Sequence, residues 1–158
     1  MIILDTNVIS EPLRPAPDEA VVRWLDAQAA ETLYLTAINT AGLWAGVARL
    51  PHGTRRHALE TSLDALLRRL FGARRLPFDD AAARAYADIV GRTERTGVSP
   101  SLADGMIAAI ACVHGFAVAT RDTTPFAAAG GASAGPGAAR YSARSPPQPG
   151  GEAAGNAR

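Results

Sequence analysis

The first apolar run of the chain, Met1 to Leu4, stops at Asp5-Thr6-Asn7, and short apolar runs bounded by polar turn residues read as buried strands. A strand that delivers an acid at its end is therefore predicted. Val21, Val22, Trp24, Leu25 and Gln28 follow Pro17, with Asp18 and Glu19 in the first turn, the pattern of a surface helix. Leu33-Tyr34-Leu35-Thr36 reads as a second strand and Ile38 to Leu50 as a helix that Pro51 stops. Leu59, Leu63, Leu66, Leu67 and Leu70 recur at helical spacing, so residues 56–70 form an amphipathic helix whose leucine face packs on the sheet or on a partner. Leu76-Pro77-Phe78 predicts a third short strand and Ala81 to Gly91 a helix. Ser101 to His114 predicts a helix opened by the box Ser101-Leu102-Ala103-Asp104, and Phe116 to Thr120 the last clear strand.

Strands alternating with helices imply an α/β domain, a parallel sheet covered on both faces. After Phe126 the pattern ends: Gly130-Gly131, Gly135-Pro136-Gly137 and Ser145-Pro146-Pro147-Gln148-Pro149-Gly150-Gly151 dominate, and Tyr141 is the sole large apolar residue. The 158 residues thus divide into one domain, 1–126, and a low-complexity tail, 127–158, expected to be disordered.

Composition narrows the classes. No apolar run approaches the roughly 20 residues that span a bilayer, and the start lacks the basic region and cleavage site of a signal peptide. No membrane association and a cytoplasmic location are expected. Cys112, the sole cysteine, has no partner for a disulfide and lies in the apolar stretch Met106 to Val113, which predicts buried packing rather than nucleophilic chemistry. A net charge of +1 supplies no broad field for nucleic acid, so such binding needs a local patch. Arg68, Arg69, Arg74, Arg75 and Arg121 are the candidates, Arg121 foremost because it adjoins Asp122. His52, His57 and His114 show no ligand spacing and read as surface or helix-end residues.

The chemistry rests on acids. In an open parallel sheet ligands bind outside the carboxyl ends of the strands, where Asp5 and Asp122 fall, and Asp104 opens the helix leading into the last strand. Singly, each acid has a structural alternative: an Asx turn for Asp5, a helix cap for Asp104, a turn cap for Asp122. Jointly they crowd negative charge, which a divalent cation relieves, and oxygen-only ligands favour Mg2+ or Mn2+.

Three segments carry a resemblance to a known family: Ile2-Ile3-Leu4-Asp5-Thr6-Asn7-Val8-Ile9-Ser10-Glu11, Ser101-Leu102-Ala103-Asp104-Gly105-Met106-Ile107-Ala108-Ala109, and Ala119-Thr120-Arg121-Asp122. From Met1 to about Phe126 the chain resembles the PIN-domain ribonucleases, specifically the VapC (FitB-like) toxins of type II toxin-antitoxin pairs. The resemblance implies a PIN-like three-layer sandwich with a short parallel sheet of four strands, or five where the closing strand is present. It implies a metal-dependent endoribonuclease that cuts structured RNA such as tRNA, is held inactive by a VapB-type antitoxin and forms a homodimer. The acids matching Asp5, Asp104 and Asp122 would hold Mg2+ or Mn2+, and the groups matching Thr6, Asn7 and Thr120 would support them.

The chain departs from that pattern at three places. The family's second acid is a glutamate in the helix after strand two, where this chain reads Thr40-Ala41-Gly42-Leu43-Trp44. Pro125 stands where many members carry an acid before the residue matching Phe126, and Ala127-Ala128-Ala129-Gly130-Gly131 replaces the start of a hydrophobic closing strand. Impaired cleavage is the expectation, and a degenerate homologue that only binds antitoxin is the alternative. A receiver-like or dehalogenase-like phosphate switch also places an aspartate after strand one, but both use a lysine, and all 16 basic residues here are arginine.

Overall fold

A computed structural model of the chain describes residues 1–96, 100–122 and 133–134. Five parallel strands run in the order β3-β2-β1-β4-β5. They are β1 Ile2–Leu4, β2 Leu33–Thr36, β3 Arg75–Leu76, β4 Ala117–Ala119 and β5 Ser133–Ala134. The helices are α1 Thr6–Ile9, α2 Glu19–Asp26, α3 Ala37–Ala48, α4 Thr54–Leu70, α5 Asp80–Thr96 and α6 Leu102–His114.

Side chains alternate across the pleat, so each strand feeds both layers. Ile3, Tyr34 and Val118, which are in register, face the layer of α5 and α6, with Ile89, Ile107 and Ile110. Leu4, Leu35 and Ala119 face the opposite layer, with Val8, Val21, Leu63, Leu67 and Phe71. The result is the expected α/β three-layer sandwich.

Several boundaries differ from expectation for identifiable reasons. The third strand is Arg75–Leu76, because Pro77 has no N–H to continue the ladder. Helix α5 runs through Gly91 to Thr96, since an interior glycine costs only about 1 kcal/mol and does not break a helix. Helix α1, which the turn-like Asp5-Thr6-Asn7 concealed, is capped by the Asp5 side chain on the Thr6 N–H. A fifth strand is present after all, within the stretch assigned to the tail. Serine and alanine suffice because Val118↔Ser133 and Ala119↔Ala134 pair through backbone alone. The rest of the tail lies outside the described residues.

Cys112 is exposed, not buried. Burial on α6 ends at Ala111, and the last turn, with Val113 and His114, lies beyond the core despite its apolar composition. His52 and His57 are also exposed. The leucine face of α4 is only partly covered: Leu63 and Leu67 are buried, whereas Leu59 is 40% exposed. Together with Leu43, Val47 and Leu50 of α3 and its flank, Leu59 and Leu66 line a cavity of about 420 Å³ that reaches Thr6 and Gly42.

Helices α5 and α6 make the most extensive helix–helix contact, and Gly105 permits it. A Cβ at position 105 would stand 2.8 Å from Cε2 of Tyr86, whose ring is held edge-on to Phe78. Gly105→Ala is expected to destabilise the fold by about 1–3 kcal/mol in urea unfolding, the usual cost of overpacking. An unchanged midpoint would mean that the Tyr86 ring gives way freely.

Candidate functional site

Parallel strands end together, so the residues after β1 and β4 share one rim of the sheet. Asp5 follows β1 directly and is buried. Its Oδ1 accepts the Thr6 N–H at 2.6 Å, and its Oδ2 accepts the Thr120 hydroxyl at 2.8 Å. The Thr120 oxygen in turn accepts the Asp122 N–H at 3.1 Å and an Asn7 Nδ2 hydrogen at 3.3 Å. One threonine after β4 therefore links Asp5, Asn7 and the Asp122 backbone. Asp104 sits in the first turn of α6, where its backbone N–H donates to Ser101 Oγ and its Oδ2 accepts the Ser101 hydroxyl at 2.7 Å.

The three acids act on one another. Burial raises the Asp5 carboxyl above its ordinary value, against the Thr120 and Thr6 hydrogen bonds, and the Asp104 and Asp122 charges push it further the same way. Asp5, Asp104 and Asp122 thus share one electrostatic neighbourhood. They do not make a ready-made cage: among the described residues no three His, Cys, Asp or Glu side chains stand as a closed metal-binding group. Such a spread, oxygen-only set suits a hydrated Mg2+ or Mn2+ ion held through one or two carboxylates, not a cation that needs a full protein shell. The donor chemistry fits the expected metal in that sense.

Gly42 lies on α3, with its backbone exposed. A Cβ there would be 3.6 Å from Thr6 Oγ1, an ordinary contact beside Asp5, so the position has room for a side chain. Two features escaped the sequence reading. Thr36 and Asn39 form a fully buried reciprocal cap on α3, and Asn39 Nδ2 reaches Thr6 Oγ1 at 3.4 Å. The spacing Thr36-Ala37-Ile38-Asn39 carried that signal, with Asn in place of the usual Glu or Gln.

The second is Glu11, whose side chain is only 2% exposed. Its Oε1 accepts the Asp18 N–H at 3.0 Å, and its Oε2 meets Arg121 Nη1 at 2.9 Å and Arg14 Nη1 at 3.4 Å. The Asp18 N–H, foremost, and the two guanidinium charges hold the Glu11 carboxyl below the usual range despite its burial.

Arg121, the foremost candidate for RNA contact, is engaged in ion pairing, and its side chain remains 40% exposed. Among the other candidates, Arg68 pairs with Asp64, Arg74 donates to the Leu33 and Leu70 carbonyls, and Arg75 to the Gly72 carbonyl. Arg69 is exposed in the last turn of α4.

A buried acid after β1, a threonine and an acid after β4 and an acid opening α6, on a five-stranded parallel sheet, define a PIN-type domain. The PIN domain family model matches residues 2–131, and the chain belongs to that family. It is 51% identical over 130 residues to the VapC ribonuclease Y4jK of Sinorhizobium fredii, covering 82% of this chain and 93% of that protein. It is 50% identical over 129 residues to the toxin FitB of Neisseria gonorrhoeae, covering 82% and 93%. The crystal structure of FitAcB from Neisseria gonorrhoeae superposes with a TM-score of 0.82 at 48% identity, covering 86% of this chain and 98% of that one.

Proposed function

We propose that this chain is an endoribonuclease toxin of a VapBC-type pair, cleaving structured RNA such as tRNA and held in check by a small VapB-type antitoxin. The observation that carries this reading is the buried Asp5 coupled to Asp104 and Asp122 at the carboxyl end of the sheet, in a chain half identical to a named ribonuclease and a named toxin. A homodimer in the cytoplasm is part of the proposal. FitAB has been solved bound to a DNA fragment, which supports a role for an antitoxin complex of this chain at DNA.

Asp5, Asp104 and Asp122 would hold Mg2+ or Mn2+. When bound, such a cation supplies positive charge against a scissile phosphate and makes a water acidic near neutral pH. The chain's own groups do the rest. Thr6 and Thr120 orient both Asp5 oxygens, Ser101 orients Asp104, and Asn7 holds Thr120 in place. With glycine at 42 the set lacks the fourth carboxylate, and cleavage is expected to be weak. The second reading, a homologue that binds antitoxin without cutting, is favoured by that same glycine.

Initial rates of RNA cleavage with Mn2+ separate the two. A slow activity lost in Asp5→Asn and in EDTA supports the nuclease. Equal rates in both proteins dismiss the metal mechanism, and antitoxin binding with no cleavage supports the second reading.

A further inference from the structure

The Glu11 carboxylate stands apart from the three acids, yet it is bound to the segment that presents one of them. Strand β4 ends at Ala119, so Asp122 lies beyond the ladder, where the Thr120 hydroxyl bonds its backbone and further restraint comes from the residue between them. Residue 121 adds restraint at two points. Its backbone N–H donates to Asn7 Oδ1 at 3.3 Å, and its guanidinium meets Glu11 Oε2 at 2.9 Å and Asp18 Oδ2 at 3.6 Å. Asn7, Glu11 and Asp18 all belong to the stretch that begins at Asp5, so two distant segments interlock around the rim.

We propose that Glu11 is a positioning residue for Asp122: its buried carboxylate grips the Arg121 guanidinium, and that grip fixes the turn that carries Asp122 beside Asp5. A buried carboxylate suits this task because an arginine that leaves it takes away the shorter of the two guanidinium pairings that offset its charge, which favours one geometry of the pair. Arg121 on this view faces inward to Glu11 first and RNA second. The proposal rests on the reading of Asp122 as a metal ligand, since groups that orient ligands typically change metal affinity by about 10–100-fold.

The test is Mn2+ titration calorimetry on the full chain without RNA, for Glu11→Gln, Arg121→Gln, the double variant and Arg14→Gln. Amide hydrogen exchange at Arg121 and Asp122 is followed in parallel by NMR. Each of the first two substitutions is expected to raise the Mn2+ Kd roughly 10-fold or more. The double variant should be no worse than the weaker single one, and exchange should quicken at residues 121 and 122. Arg14→Gln, which removes the longer guanidinium pairing to Glu11 and leaves the Arg121 pairing in place, should cost less affinity than either of the first two substitutions.

Unaltered affinity in both single variants, additive losses in the double, or an Arg14→Gln loss equal to that of Glu11→Gln would each overturn the proposal. If Glu11→Gln does not fold, Arg121→Gln carries the same expectations alone. If the parent chain binds no Mn2+, the metal reading fails and exchange decides: quickening at 121 and 122 sustains the positioning role, and unchanged exchange ends it.

Discussion

Gly42→Glu is expected to raise Mn2+-dependent RNA cleavage by roughly 10–100-fold, the size of effect that protein groups tuning a bound metal typically have. The position is favourable for such a gain. Among the described residues a Cβ at 42 meets only Thr6, at 3.6 Å and 3.8 Å, and Thr6 is the residue whose N–H binds Asp5. A glutamate therefore starts beside the buried acid and needs no repacking. Replacing glycine in a helix interior also stabilises α3 by up to about 1 kcal/mol, an effect unrelated to chemistry. Gly42→Ala isolates that effect: it should raise the melting temperature without raising the rate. The carboxylate is not the missing element if Gly42→Glu cuts no faster than Gly42→Ala.

Short apolar runs bounded by polar turn residues, with the helical spacing of the leucines between them, are enough to place the sheet, because burial on both faces leaves few alternatives. What escaped was set by neighbours that no local window contains. Cys112 sits in an apolar run, and only the point where α6 leaves the core decides its exposure. Glu11 and Arg121 are 110 positions apart, and nothing in either segment announces that they meet. Asp5, Asp104 and Asp122 were legible because acids at the ends of apolar elements fall on one rim in a parallel sheet. Their coupling is legible as repulsion, and the resemblance names Thr120 as a supporting group, whereas the bonds by which Thr120 links Asp5 to the Asp122 backbone depend on the three-dimensional arrangement. The family match ends at residue 131, close to where the composition turns to Ala, Gly and Pro, yet Ser133 and Ala134 still pair with β4.

Asp5→Asn is expected to make the metal-free protein more stable at neutral pH and to abolish its stabilisation by metal. The Asp5 carboxyl is raised from 3.8 by burial and by the Asp104 and Asp122 charges, so on acidification the native state binds this proton before the unfolded chain does. Stability from this group is full below pH 3.8, falls as pH rises through the folded value, and stays lost at neutrality, where the ionised acid strains the fold. Asparagine removes that charge and keeps the bonding: its carbonyl can accept the Thr6 N–H, and the Thr120 proton can turn to the Asp122 carbonyl at 3.2 Å. Melting in EDTA at pH 7 should therefore occur higher for Asp5→Asn than for the parent, with the gap closing toward pH 4. Mn2+ at 100 times its Kd should add about 2.7 kcal/mol to the parent, roughly 5–10 °C for a domain of this size. In Asp5→Asn that increment should vanish. A lower melting temperature for the variant in EDTA would show that Asp5 supports the fold as a charge, and the site would then be structural rather than held in readiness for a cation.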